Sequence, residues 1–84
     1  MIDILYFAWL KERMGRSAES LQLPPGVTTV AALAAWLRDR DDAGRLAFAD
    51  TAIIRAAINQ EFAAPDAPIA DGDEVAFFPP VTGG

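Results

Sequence analysis

Residues 71–84 read DGDEVAFFPPVTGG, and this stretch decides how the rest of the chain is arranged. Its first three residues form a turn signal, because aspartate and glycine tolerate the backbone angles of tight turns. Glu74 to Phe78 then alternates as a strand does, with Val75 and Phe77 on one face and Phe78 on the other. Two prolines follow, and a sheet cannot continue through residues that lack a backbone N–H. The stretch therefore predicts a final strand that ends at Phe78 and a narrow tail over 79–84.

The same periodicities predict the other elements. Strands are expected at 2–7, 21–23, 54–58 and 61–63, a short helix at 8–14, and a helical turn within 45–50. A tight turn at Asn59-Gln60 is expected to join the strands at 54–58 and 61–63 into a hairpin. Thr28 or Thr29 is expected to cap the main helix, whose charged end over 38–42 should lie in water. Its inner face is predicted to carry Val30, Leu33, Ala34 and Leu37. We therefore expect an α+β domain over 1–78: a mixed sheet with one main helix packed across it and its first and last strands adjacent.

Composition narrows the range of functions. The chain has 84 residues, a net charge of −5, no cysteine and no histidine. The charge argues against nucleic acid as a partner, and no apolar run approaches the ~20 residues of a membrane span. Without thiols or imidazoles, neither a metal site nor a bound cofactor is expected, and catalysis by this chain alone is disfavoured. The expected location is the cytoplasm.

Several large apolar side chains are predicted to point away from the main helix. Alternation places Leu5 and Phe7 on that side of the first strand and Phe78 on that side of the last, and Phe62 in the hairpin is expected to join them. These groups are either scattered exposed residues with no special role or one docking surface for another protein. The tail favours docking, because it leaves the domain beside Phe78.

The tail suits a role as a thin reactive arm. Pro79 and Pro80 favour an extended conformation, and Val81 and Thr82 are stiff at the side-chain level. The final Gly83-Gly84 has no side chains, so it fits a slot too narrow for other residues. A terminal carboxylate is a poor electrophile until it is activated, and this chain has no nucleotide-binding loop with which to activate it. Another protein is therefore expected to do so.

The whole chain resembles the small, sulfur-carrier subunit of molybdopterin synthase. The segments that carry the resemblance are DGDEVAFFPPVTGG at 71–84, FAWLKERMG at 7–15 and INQEF at 58–62. The resemblance implies a ubiquitin-like β-grasp fold. It also implies that a separate E1-like enzyme, using ATP, adenylates Gly84, and that a sulfur-donating protein supplies the sulfur of a thiocarboxylate. The tail would then enter the large subunit, in a heterotetramer of two large and two small subunits, and donate the sulfur to cyclic pyranopterin monophosphate.

The resemblance also assigns partner-binding positions. It places interface aromatics at Phe7 and Phe78, an apolar hairpin contact at Phe62 and a basic position at Lys11. For Lys11, a solvated surface lysine is an equally good interpretation. Neither tryptophan falls on a functional position, and Trp36 is expected to pack at the core or its edge.

Two further functions remain open. A carrier for thiamine synthesis or tRNA thiolation, or a ubiquitin-like protein modifier, also ends in Gly-Gly, although such chains generally lack the preceding FFPPV. A plain interaction module would bind its partner through the apolar docking surface, and its tail would have no function. Deleting Gly84 separates the module from the carriers, because only a carrier loses its activity while it still binds.

Overall fold

The computed structural model describes residues 1–80. Its elements, in chain order, are β1 (Ile2–Tyr6), α1 (Trp9–Met14), β2 (Ala18–Leu21), α2 (Val30–Arg40), α3 (Asp42–Ala47), a 3-10 helix (Thr51–Ile53), β3 (Arg55–Ile58), β4 (Glu61–Ala63) and β5 (Glu74–Phe78). The helix expected over 8–14 is confirmed as α1, and it ends at Gly15, whose φ of 75° is readily adopted by glycine. Within residues 1–80, no helix has the length and apolar character needed to cross a bilayer.

Five strands form one mixed sheet in the order β2-β1-β5-β3-β4. β1 and β5 run parallel at its centre, whereas the other neighbouring strands are antiparallel. The predicted adjacency of the first and last strands is confirmed. Their central position fits their sequences, because both alternate strongly and bury one complete face. With α2 against that face, this is the expected β-grasp arrangement.

The core lies between α2 and the inner face of the sheet. Thr29 caps α2 by accepting a hydrogen bond from the N–H of Ala32 at 3.1 Å. The predicted inner residues of α2 are all buried, and so is the inner face of the central strands: Val30, Leu33, Ala34, Leu37, Ile2, Ile4, Tyr6, Val75 and Phe77. Each fully buried Leu, Ile, Val or Phe side chain contributes about 1.5–3 kcal/mol, so this interface dominates stability.

The second strand lies earlier than predicted. It covers Ala18–Leu21 rather than 21–23, and it pairs with β1 so that Leu21 faces Ile2 and Glu19 faces Ile4. The prediction was wrong because Glu19, a charged residue, points toward the inner side and interrupts the apolar alternation. Leu23 packs against the core from the loop that follows.

Glu19 joins Arg40, at the charged end of α2, to the sheet, which corrects the expectation that this whole end lies in water. The acidic residues of this end are exposed, as expected: Asp39, Asp41 and Asp42. Arg40 donates hydrogen bonds to both carboxylate oxygens of Glu19, at 2.8 and 2.9 Å, and the Tyr6 hydroxyl donates a third at 2.6 Å. The bonds from Arg40 hold the pKa of Glu19 below its ordinary value. Burial, and then the bond to Glu19, raises the pKa of Tyr6 well above its ordinary value.

The helical turn expected within 45–50 is α3, which begins earlier, at Asp42. Asp41 caps it by accepting a hydrogen bond from the N–H of Gly44 at 2.7 Å. Phe48, directly after α3, is fully buried and packs edge-on against Phe77, with ring centroids 5.1 Å apart. The sequence pattern did not identify Phe48 as a core residue, because it lies in a segment too short to show helical periodicity.

The predicted tight turn at Asn59-Gln60 is confirmed. Both residues have positive φ, 50° and 72°, as the two central residues of a hairpin turn require. The Asn59 side chain accepts a hydrogen bond from the N–H of Glu74 at 3.0 Å and donates one to Asp73 at 3.0 Å. This bridge fixes the β3–β4 hairpin beside the start of β5.

Candidate docking surface and tail

The sheet face opposite α2, here called the open face, carries the predicted apolar residues. Its strand residues are Asp3, Leu5, Ala18, Ser20, Arg55, Ala57, Phe62, Glu74, Ala76 and Phe78. The strand register places Leu5, Ala76, Ala57 and Phe62 in one row across four strands. The face assignment made from alternation is therefore confirmed for the strand residues among the predicted apolar groups.

Phe62 and Phe78, here called the aromatic pair, are in contact. Their ring centroids are 5.8 Å apart, and the rings are tilted by 58°. Phe62 is 87% exposed, whereas Phe78 is half-buried. A groove of about 400 Å³ adjoins the pair; it is lined by Arg55, Ala56, Phe62, Ala63, Ala64 and Phe78. Such an exposed aromatic cluster beside a groove has the form of a protein-docking anchor.

Phe7 lies at the same end of the sheet. Its N–H donates to the carbonyl of Phe77 at 3.1 Å, so its backbone borders the end of β5. The Phe7 side chain is 49% exposed, whereas its neighbour Tyr6 is buried. Leu5 is half-buried, and in the register row Ala76 and Ala57 separate it from Phe62. The predicted patch is thus two large apolar areas joined by small residues.

Charge divides the open face between its two ends. Asp3 and Glu74 are register partners at the end where β1 and β5 begin, and Ser20 donates a hydrogen bond to Asp3. Nearby, hydrogen bonds from Asn59 and then from the N–H of Ala70 hold the pKa of Asp73 below its ordinary value. The end where β5 finishes carries the aromatic residues instead. Apolar contact with a partner is therefore expected at the end of the open face where β5 finishes, next to the start of the tail.

The structure positions only the start of the predicted tail. β5 ends at Phe78, and Pro79 and Pro80, which follow it, are half-buried. The predictions for Val81, Thr82, Gly83 and Gly84 lie outside the described residues. Among residues 1–80, no group of His, Cys, Asp or Glu side chains is arranged to hold a metal ion.

Comparison with known proteins identifies the family, since residues 4–84 match the ThiS family. The chain belongs to the ThiS family. It is 43% identical to the molybdopterin synthase sulfur carrier subunit of Escherichia coli K12 over 84 residues, covering 100% of both chains. It is 36% identical, with the same coverage, to the protein of that name from Haemophilus influenzae. Among solved structures, SAMP1 from Haloferax volcanii matches with a TM-score of 0.72 and 28% identity, covering 99% of this chain and 98% of that one.

Lys11, the predicted basic position of this ThiS-family chain, is exposed on α1. Among residues 1–80 it forms no ion pair. Trp9 and Trp36 both pack against the core from its edge, which confirms the expectation for Trp36. Arg13 lies over the ring of Trp9, with 4.3 Å between the guanidinium carbon and the ring centroid. The role of Lys11 in binding stays a prediction.

Three open-face residues were not singled out from the sequence. Ala57 and Ala76 keep the middle of the face flat, and Arg55 lies beside Phe78 in the strand register. The sequence did indicate that Arg55 lies on the open face, because it alternates with the inward-facing Ala56. That Arg55 lies beside Phe78 became clear only when β5 was identified as the neighbour of β3.

Proposed function

We propose that this protein is the sulfur carrier subunit of a molybdopterin synthase. Its full-length similarity to two sulfur carrier subunits, at 43% and 36% identity, is the observation that carries the proposal. The chain's FFPPVTGG ending supports it. In this proposal residues 1–78 form the carrier domain and 79–84 form the reactive tail.

The chemistry takes place at Gly84. A separate E1-like enzyme transfers AMP from ATP to the terminal carboxylate and releases pyrophosphate, which turns a poor electrophile into a reactive acyl-adenylate. Sulfur at the sulfide level, delivered by a donor protein, then attacks the acyl carbon, displaces AMP and leaves a thiocarboxylate. Gly83 and Gly84 present this group through a narrow passage in the large subunit, because neither has a side chain to obstruct entry. There the sulfur passes to cyclic pyranopterin monophosphate, water hydrolyses the acyl–sulfur bond, and Gly84 returns to the carboxylate form.

The open face supplies the binding surface in this proposal. The aromatic pair and Phe7 anchor the large subunit, Pro79 to Thr82 contact the passage that the tail enters, and Lys11 pairs with an acidic residue of a partner. The complex contains two large and two small subunits. No cofactor resides on this chain, since ATP is consumed by the activating enzyme. Because the reactions need ATP and these partners, the proposal assigns the chain to the cytoplasm.

Mass spectrometry tests the proposal. The chain is co-expressed with its activating enzyme and sulfur donor, and the C-terminal fragment is weighed. We expect the mass increase that results from replacing one oxygen by one sulfur, and we expect it to disappear when the activating enzyme is omitted. A chain that lacks Gly84 should still bind the large subunit but should not support molybdopterin formation. Finding only the unmodified carboxylate under active conditions would refute the proposal.

A second candidate is a ubiquitin-like modifier. The similarity to SAMP1 favours it, since a further solved structure that this chain matches, with a TM-score of 0.66 and 28% identity, is small archaeal modifier protein 1 of the same organism. In that case the activated Gly84 would form an amide with lysines of other proteins. Proteins captured from the native cell distinguish the two functions: a covalent ladder of conjugates indicates a modifier, whereas recovery of the large synthase subunit indicates the sulfur carrier. Recovery of a thiazole synthase or a tRNA-modifying enzyme instead would indicate a different sulfur pathway.

A further inference from the structure

Arg55 brings a positive charge into the most apolar part of the open face. It is exposed, it is the register partner of Phe78, and it lines the same groove as Phe62. Within residues 1–80 it is the only basic residue in any of the five strands. A partner that covers the aromatic pair therefore covers Arg55 as well.

The other arginines of the described chain are engaged within the protein. Four form ion pairs with carboxylates, and one lies over a tryptophan ring: Arg16, Arg38, Arg40, Arg45 and Arg13. Arg55 forms neither an ion pair nor a side-chain hydrogen bond with any residue in 1–80. An exposed guanidinium is a charged group that water hydrates as long as no partner covers it.

Docking removes that water. Burying an unpaired guanidinium is strongly unfavourable, and it becomes tolerable only when the partner supplies a counter-charge with good hydrogen-bond geometry. We propose that Arg55 is a specificity residue of the docking surface and that the large subunit presents an aspartate or glutamate side chain to it. This inference rests on the proposed function and adds the chemistry of the partner's contact.

A carboxylate fits the site better than a neutral acceptor. The planar guanidinium presents paired N–H donors that match the two oxygens of a carboxylate. The groove of about 400 Å³ beside Arg55 is wide enough for an entering side chain, and its other walls are alanine and phenylalanine. Since those walls offer no side-chain hydrogen-bonding group, the charge of Arg55 determines which polar group can enter.

Replacement of Arg55 by leucine tests the inference, because the direction of the change in affinity for the large subunit depends on whether the partner presents a carboxylate. If the partner supplies a carboxylate, Arg55→Leu leaves that group buried and unpaired, and the affinity for the cognate large subunit falls roughly 10- to 100-fold. If the partner supplies no acid, the same substitution adds apolar surface to an apolar contact, and affinity is unchanged or rises. Unchanged or tighter binding, measured by calorimetric titration, overturns the inference.

Arg45→Leu is the matched control, because Arg45 is also an exposed arginine but lies on α3, away from the open face. It is expected to bind as the wild-type chain does. Circular dichroism and urea unfolding verify that both variants fold. If wild-type chain does not bind the large subunit, both the proposed function and this inference fail. If the wild-type chain binds and Arg55→Leu binds equally well, only this inference fails.

Charge exchange identifies the partner residue. Acidic residues of the large subunit that cross-link near Phe62 are each changed to arginine and tested against Arg55→Glu. We expect one acid-to-arginine variant of the large subunit to bind Arg55→Glu at least about tenfold more tightly than the unmodified large subunit does, as a direct ion pair requires. If Arg55→Glu binds weakly and no acidic position rescues it, a direct carboxylate contact is refuted.

Discussion

The rings of Phe62 and Phe78 are in contact across β3, on the face of the sheet that α2 leaves uncovered. Their centroids are 5.8 Å apart, yet Phe62 is 87% exposed. An isolated chain gains little from holding an aromatic ring in water. In the function proposed above, the pair anchors the large subunit, and Phe78 is the last strand residue before the tail.

Alanine substitutions within the aromatic pair should separate binding from folding. Phe78→Ala is expected to weaken binding to the large subunit by roughly 1–3 kcal/mol while the fold survives. Phe62→Ala should change the free energy of unfolding by less than about 0.5 kcal/mol, because its ring is mostly in water. Leu46→Ala, an exposed apolar residue of α3, is the control and should change neither. Severe unfolding of Phe78→Ala would show that Phe78 is a core residue instead.

The Glu19–Arg40 ion pair should contribute measurably to stability. Glu19→Gln removes the closer of the two carboxylates that pair with Arg40, the other being Asp41 at 3.3 Å. We therefore expect a loss of roughly 1–3 kcal/mol in the free energy of unfolding by urea. Asp42→Asn breaks the ion pair with Arg45, whose two side chains are both largely exposed to solvent, and should cost less than about 0.5 kcal/mol. Equal effects for the two variants would contradict the structural role of Glu19.

Stability should fall in acid through the same carboxylate. The folded pKa of Glu19 lies below its ordinary value of 4.5, so the unfolded chain binds more protons in this range. The stabilisation is fully present above about pH 4.5 and is lost as the pH falls through the folded pKa. Urea unfolding at several pH values should show a smaller acid dependence for Glu19→Gln than for the wild-type chain. Parallel curves for the two proteins would argue against this assignment.

Tyr6 offers a spectroscopic reading of the core, because it is the one tyrosine of the chain. Burial and the hydrogen bond to Glu19 raise its pKa above the ordinary 10.0. Tyrosinate absorbance should therefore stay absent near pH 10 while circular dichroism shows a folded chain, and it should appear with unfolding. Since the folded pKa is raised, stability is fully present below about pH 10 and falls as the pH rises further. A reversible titration near pH 10 in the folded state would contradict the buried contact.

Gly44 should tolerate no side chain. A Cβ added there would lie 1.8 Å from the carbonyl oxygen of Leu37, so α3 would have to move away from α2. Gly44→Ala is expected to lower the free energy of unfolding by about 2–3 kcal/mol, despite the better helix propensity of alanine. Arg45→Ala, one position later on the exposed side, should change it by less than about 0.5 kcal/mol. Comparable stability of the two variants would show that the helices are not in close contact.

The sequence alone determined the features that depend on local periodicity. Alternation in 74–78 and 2–7 revealed two strands with buried inner faces and apolar residues on their outer faces. The spacing of Val30, Leu33 and Leu37 revealed the helix that covers the sheet. Such patterns are readable because side chains repeat every two residues in a strand and about every 3.6 in a helix. The resemblance of the chain end to a known family supplied the functional hypothesis that periodicity could not.

Only the tertiary structure decided the contacts between distant segments. The sequence pattern gave Glu19 no role, and only the pairing of β2 with β1 placed it beside Tyr6 and Arg40. Arg55 likewise had no special meaning until the register of β3 against β5 brought it next to Phe78. Local pattern reports which face a residue takes, but not which residue lies opposite it, because the opposite strand is chosen by the packing of the whole core.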